Sequence, residues 1–189
     1  TNTLFAGNSA PQGAGLSNGD LNSHVTIYGS TFSGNTGSGG VGMDNYGTAE
    51  VYDSTFTDNW SDSSLGPNGG GGIYNYATLT VTHSTFAANF AYPGGGIHND
   101  GNLTVLDSVF SGNMARYGGG LYNTGTLTLT NSTLVTNSIT TSAGGGIHNS
   151  GTLLMTNSTL SGNTASLGNG GGLYNLGVLT ATNSTLSGN

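Results

Sequence analysis

Eight carboxylates, four histidines and one arginine, Arg116, are the charged and imidazole groups available to this 189-residue chain. The acids are Asp20, Asp44, Glu50, Asp53, Asp58, Asp62, Asp100 and Asp107. Glu50, Asp53, Asp58 and Asp62 crowd one short stretch, and Trp60, the only tryptophan, stands between the last two. Two carboxylates at a set separation are what glycoside hydrolysis requires. An acidic stretch beside an exposed aromatic ring could also bind sugar or calcium. Trp60, Asp58 and Asp62 are therefore candidate binding residues, against the plainer reading of a solvated acidic loop in "WSDSSLGPNGG". A second series is Tyr74, His98, Tyr122, His148 and Tyr174, each following an Ile or Leu. Placed on one outward face, these rings would form a strip for glycan or partner contact, or a ladder that stiffens the chain. No metal site is expected, because His98 and His148 would stand roughly 10 Å apart. No catalytic residue and no cofactor are assigned.

Those residues sit inside a repeat. "GGGIYNYATLTVTHSTFAAN" at 70–89 returns as "GGGIHNDGNLTVLDSVFSGN" at 94–113, then from 118, 144 and 170, and in blurred form before residue 60. The closing asparagines, Asn8, Asn35, Asn59, Asn89, Asn113, Asn137, Asn163 and Asn189, recur every 24 to 30 residues. An inner series, Asn18, Asn45, Asn75, Asn99, Asn123, Asn149 and Asn175, keeps step. A fixed unit with a variable loop is the mark of a solenoid.

Within a unit the apolar residues alternate. In "LTVTHSTF", Leu79 and Val81 point one way and Thr80 and Thr82 the other, a strand period. Glycine, threonine and asparagine all disfavour helix. Each unit offers three short strands, around "GIYN", "LTV" and "STF", separated by corners at Asn75, His83-Ser84 and Asn89. Glycine and asparagine tolerate the left-handed angles that corners need. Stacked, the units give inward columns such as Ile73, Ile97, Leu121 and Ile147, then Val51, Val81, Val105 and Leu129, then Phe32, Phe56, Phe86 and Phe110. Each buried side chain contributes about 1.5–3 kcal/mol. A buried amide left unpaired costs about 1–3 kcal/mol. Asn35, Asn59, Asn89, Asn113, Asn137 and Asn163, with Asn45, Asn75, Asn99, Asn123, Asn149 and Asn175, are therefore read as two structural amide ladders. The expected fold is all-β: a single-stranded parallel β-helix of about seven rungs, running as one domain through residues 1–189 without caps.

Composition narrows function. Charged residues are 5% of the chain, against roughly 25% in an ordinary domain. Lysine and cysteine are absent and the net charge is -7. A basic footprint for nucleic acid or anionic lipid is missing. No apolar run is long enough to span a bilayer. Outward threonines raise an ice-binding face, but Glu50, Leu154, Tyr28, Tyr52 and Leu106 break its regularity.

The "GGGI" or "GGGL" and "FSGN", "FTDN" and "FAAN" motifs resemble the repeats of polymorphic outer-membrane proteins, across nearly the whole chain. The resemblance implies a right-handed β-helix displayed at a bacterial surface, as an adhesin or passenger. It departs from that family's pattern in having Gly where an Ala is usual. Polysaccharide lyases and hydrolases share the fold class, but a lyase-type base could only be Arg116. The expected role is a non-catalytic stalk, passenger or fibre segment, extracellular or at the cell surface. The alternative is a glycan-binding adhesin. Expected partners are further rungs of the same chain, or other copies stacked end to end, and a surface glycan in the adhesin case.

Overall fold

The computed structural model describes residues 1–62 and 69–189; part of the "WSDSSLGPNGG" loop lies outside the described residues. Among the described residues all regular elements are short strands, and their pairings are parallel and in register from one rung to the next, apart from a shift where Met114–Tyr117 pairs with Ser138–Ala143. The three expected strands stack into three sides of a prism. The first side runs from Leu16–Asn18 to Leu173–Asn175, in seven strands. The second runs from His24–Tyr28 to Val178–Thr182, also in seven. The third runs from Leu4–Ala6 to Thr185–Ser187, in eight.

The structure adds a fourth side to the three-strand expectation. Six strands, from Thr36–Gly37 to Thr164–Ala165, occupy what the sequence presents as variable loop. Ser61, Ala91, Ala115 and Ile139 face inward there, each at most 1% exposed. From Asn45 onward, all variation in repeat length falls on this side. The connection from Asn89 to Gly94 is short, that from Asn137 to Gly144 longer, and that from Asn59 to Gly70 longest.

The core is one continuous column of side chains. Phe5, Phe32, Phe56, Phe86 and Phe110 stack face to face with centroids 4.4, 4.5, 4.8 and 4.7 Å apart. That is the rise between hydrogen-bonded strands. Leu134 and Leu160 continue the column, fully buried.

Both amide ladders are present. Each closing asparagine donates from Nδ2 to Oδ1 of the next: Asn35 to Asn59 at 2.8 Å, then Asn89, Asn113, Asn137 and Asn163 in turn. The inner series does the same, at 2.7 Å from Asn45 to Asn75 and from Asn99 to Asn123. In these amide-to-amide bonds every donor points toward the later rung, while the second N–H of each closing asparagine donates back to a backbone carbonyl of the earlier one. A third ladder, of serines, runs beside the second corner: Ser84 N–H donates to Ser108 Oγ at 3.0 Å, while Ser84 Oγ–H donates to Thr82 O.

The corners differ from expectation in two respects: the first, at Asn75 or Asn99 and the residues after it, uses no left-handed angle, and the third places it on another residue. At the second corner, His83, Asp107, Asn131 and Asn157 hold positive φ, as expected. At the third, the left-handed residue is the one before the asparagine: Gly34, Asp58, Ala88, Gly112 or Thr136. The asparagine's backbone stays ordinary because its side chain must point inward to the ladder.

Candidate functional site

The ring series on the first side is placed differently from the outward strip that alternation suggests. Its side chains do leave the core, but they enter the concave angle between the first and fourth sides. Tyr74, His98 and His148 are only 4%, 2% and 6% exposed; Tyr122 and Tyr174 are half-buried. The rings touch in sequence, Tyr74 to His98 at 4.9 Å, His98 to Tyr122 at 4.9 Å and Tyr122 to His148 at 5.0 Å. Tyr117, at the end of a fourth-side strand, packs on both Tyr122 and His148. The glycine that opens each triplet folds back on this strand: a Cβ on Gly94 would meet His98 N at 2.6 Å. Tyr74, His98 and His148 thus form a second, polar core, with Tyr122 and Tyr174 partly open to solvent.

Its chemistry is structural. Asp100 accepts from Tyr74 Oη of the preceding rung at 2.9 Å, from its own rung's His98 Nε2 at 2.9 Å and from Thr124 of the following rung. Burial would raise the Asp100 pKa, but the His98 hydrogen bond and charge, with those from Thr124 and Tyr74, hold it at about 2. Burial pushes the Tyr74 and Tyr122 phenols up and the His148 imidazole down.

Asp44, in the same column, lacks such partners. It is 2% exposed, and its Oδ1 has no hydrogen-bond partner among the described residues. Burial raises its pKa from 3.8 to about 7. Between those pH values the folded chain keeps a proton that the unfolded chain has released, so stability falls as pH rises through the window. Asp44→Asn is expected to flatten that fall and to stabilise the protein at pH 8, by at most about 4 kcal/mol. Urea midpoints measured from pH 4 to 8 check this; parallel curves for the two proteins would contradict it.

The four crowded acids are dispersed around the prism. Glu50 is on the second side, with its Oε2 3.8 Å from His24 Nε2. Asp53 is at the second corner, within 3.9 Å of His83, which also lies 3.7 Å from Asp107. Asp58 is at the third corner and accepts from Thr57 Oγ1. Asp62 is beyond it on the fourth face, accepting from Ser38 Oγ at 3.2 Å. Exposed pairs of this kind contribute little. Among the described residues no cluster of His, Asp and Glu is arranged to hold a metal ion.

Trp60 starts a fourth-side strand rather than lying in a loop, and is 53% exposed. Its indole stacks on Phe90, with centroids 4.1 Å apart and planes 18° from parallel. Phe90 was not singled out by the sequence; the signal was its place directly after the ladder residue Asn89, as Trp60 follows Asn59. Thus the structure keeps Trp60 and Asp62 on one exposed face, sets Asp58 at its edge, and buries Tyr74, His98 and His148 while leaving Tyr122 and Tyr174 half-buried.

Among the described residues no helix is long and apolar enough to cross a membrane. A family model described as a right handed beta helix region matches residues 1–134. No curated protein and no solved structure matches the chain.

Proposed function

We propose that this chain, which belongs to the right-handed β-helix family, is a non-catalytic structural segment of a bacterial extracellular or cell-surface protein. It acts as a stalk, passenger or fibre segment. The observation that carries this reading is the continuity of the ladders: each rung offers side-chain donors to the rung after it and acceptors to the rung before. A rung is thus completed only by its neighbours, as in solenoids generally. Its partners are further rungs of the same chain or other copies stacked on it. The dispersal of the carboxylates supports a role without catalysis, since hydrolysis of a glycosidic bond needs two of them about one bond.

Two measurements test this. Protease added to intact cells of the source bacterium is expected to remove the segment while sparing an intracellular control protein; protection of the segment would overturn the surface assignment. Incubation with neutral and acidic polysaccharides is expected to release neither new reducing ends nor unsaturated products. Release of either would overturn the non-catalytic assignment.

A further inference from the structure

The fourth face carries two parallel outward columns of different character. The first reads Thr36, Trp60, Phe90, Met114 and Ser138, paired rung to rung. The second lies two residues further along each strand and reads Ser38, Asp62, Tyr92, Arg116 and Thr140. An apolar track of three exposed or half-buried side chains therefore runs along the axis beside a polar one.

The Trp60 end of the apolar track is open. Phe90 covers one face of the Trp60 indole. The other face looks toward the rung of Thr36, whose small side chain leaves room. A cavity of about 430 Å³ opens there, lined by Trp60 with Ser9, Pro11, Thr36, Ser38 and Asp62. A second, of about 320 Å³, lies beyond Phe90 and is lined by Tyr92, Arg116, Thr140 and Thr141.

We infer that this face binds a neutral oligosaccharide lying along the helix axis, with one sugar ring against the open face of Trp60. A pyranose has an apolar C–H face and a rim of hydroxyls, and the site offers a flat ring for the first and hydroxyl, carboxylate and guanidinium groups for the second. The inference rests on the non-catalytic reading, since Asp62 is the one carboxylate in the first cavity and the second has none. At the Trp60 cavity charge disfavours an acidic sugar, since Asp62 is the charged side chain that lines it and the chain as a whole carries -7. An extended peptide is disfavoured, because the middle strands of this side are already paired on both edges and leave no edge for strand addition.

Because Trp60 is the only tryptophan, its fluorescence reads the site directly. The probes are hexasaccharides of β-linked glucose and of mannose, with polygalacturonate as the acidic comparison. At least one neutral hexasaccharide is expected to give a saturable shift in emission. Trp60→Ala is expected to weaken binding, measured by calorimetry, at least tenfold, and Trp60→Phe to retain part of it. Trp60 is exposed, so an unchanged thermal midpoint will show that the variants fold. No response to any neutral probe, undiminished binding by Trp60→Ala, or preference for polygalacturonate would overturn the site. Binding at the site accompanied by cleavage would leave the site standing and overturn the non-catalytic reading.

Discussion

Asn113→Ala is expected to lower the free energy of unfolding by about 3–6 kcal/mol, a large loss for truncating one polar side chain. The amide makes four hydrogen bonds in a fully buried position. Its Oδ1 accepts from the backbone N–H and from Nδ2 of Asn89, both at 3.0 Å. Its Nδ2 donates to Phe86 O and to Asn137 Oδ1, both at 2.9 Å. Alanine orphans two donors of Asn89 and deprives two acceptors, Phe86 O on the same rung as Asn89 and Asn137 Oδ1 on the following one, and no water-exposed route relieves them, since Asn89, Asn113 and Asn137 are at most 1% exposed. Each orphaned group costs about 1–3 kcal/mol. Asn131→Gly is the control. Asn131 is exposed at the second corner with φ of 51°, which glycine adopts freely. Its loss is expected to stay below about 1 kcal/mol. Denaturant titration of the two variants makes the comparison; similar losses would show that the ladder adds nothing beyond ordinary corner chemistry.

Gly119→Ala is expected to destabilise by about 3 kcal/mol or more. The triplet glycines have two different jobs. The first, such as Gly118, holds φ of 59°. The second and third give room for backbone against backbone. A Cβ on Gly119 would stand 2.4 Å from Gly145 O and 2.6 Å from Ser138 O. Neither can retreat, because both belong to the rung that Gly119 is bonded to. Gly112→Ala separates space from angle: φ is 62°, yet nothing lies within 4 Å of the added methyl. Ala88 already occupies the equivalent corner with φ of 53°. Gly112→Ala is therefore expected to cost only about 1–2 kcal/mol, the left-handed penalty alone. Thermal melts of the pair decide it, and equal losses would mean the triplet is there for its angles.

The ladders and core columns were legible because they repeat. Asn89, Asn113 and Asn137 are the same residue at the same phase, and Val81, Val105 and Leu129 alternate with threonine in a strand period. The serine ladder carries the same signal, at Ser54, Ser84, Ser108 and Ser132, yet a serine beside a corner also reads as ordinary turn chemistry, which hides its role. The fourth side was not legible. Trp60-Ser61, Phe90–Pro93 and Met114–Tyr117 share only a large residue followed by a small one, too short a pattern to mark a strand, and their pairing comes from the backbone of the rungs above and below. For the same reason the burial of His98 and Tyr74 could not be read: alternation says that they leave the core, and only the unseen fourth side turns that outer surface into an inner one. Trp60 was legible as a lone exposed aromatic; its partner Phe90 depends on a pairing that residue spacing does not reveal.

From Asn45 onward, the confinement of length variation to the fourth side has a consequence for how such a chain can change. A residue added inside a strand between Asn45 and Asn59, or between Asn75 and Asn89, would shift ladder, aromatic stack and alternation together, whereas the three extra residues of the first rung sit at the corner after Asn18 and leave its strands in register. One added between Asn137 and Gly144 shifts nothing, because the next triplet restores the phase. Heritable novelty is thereby channelled onto corners and above all onto one face, the one that carries Trp60, while the strands of the other three keep their periodicity.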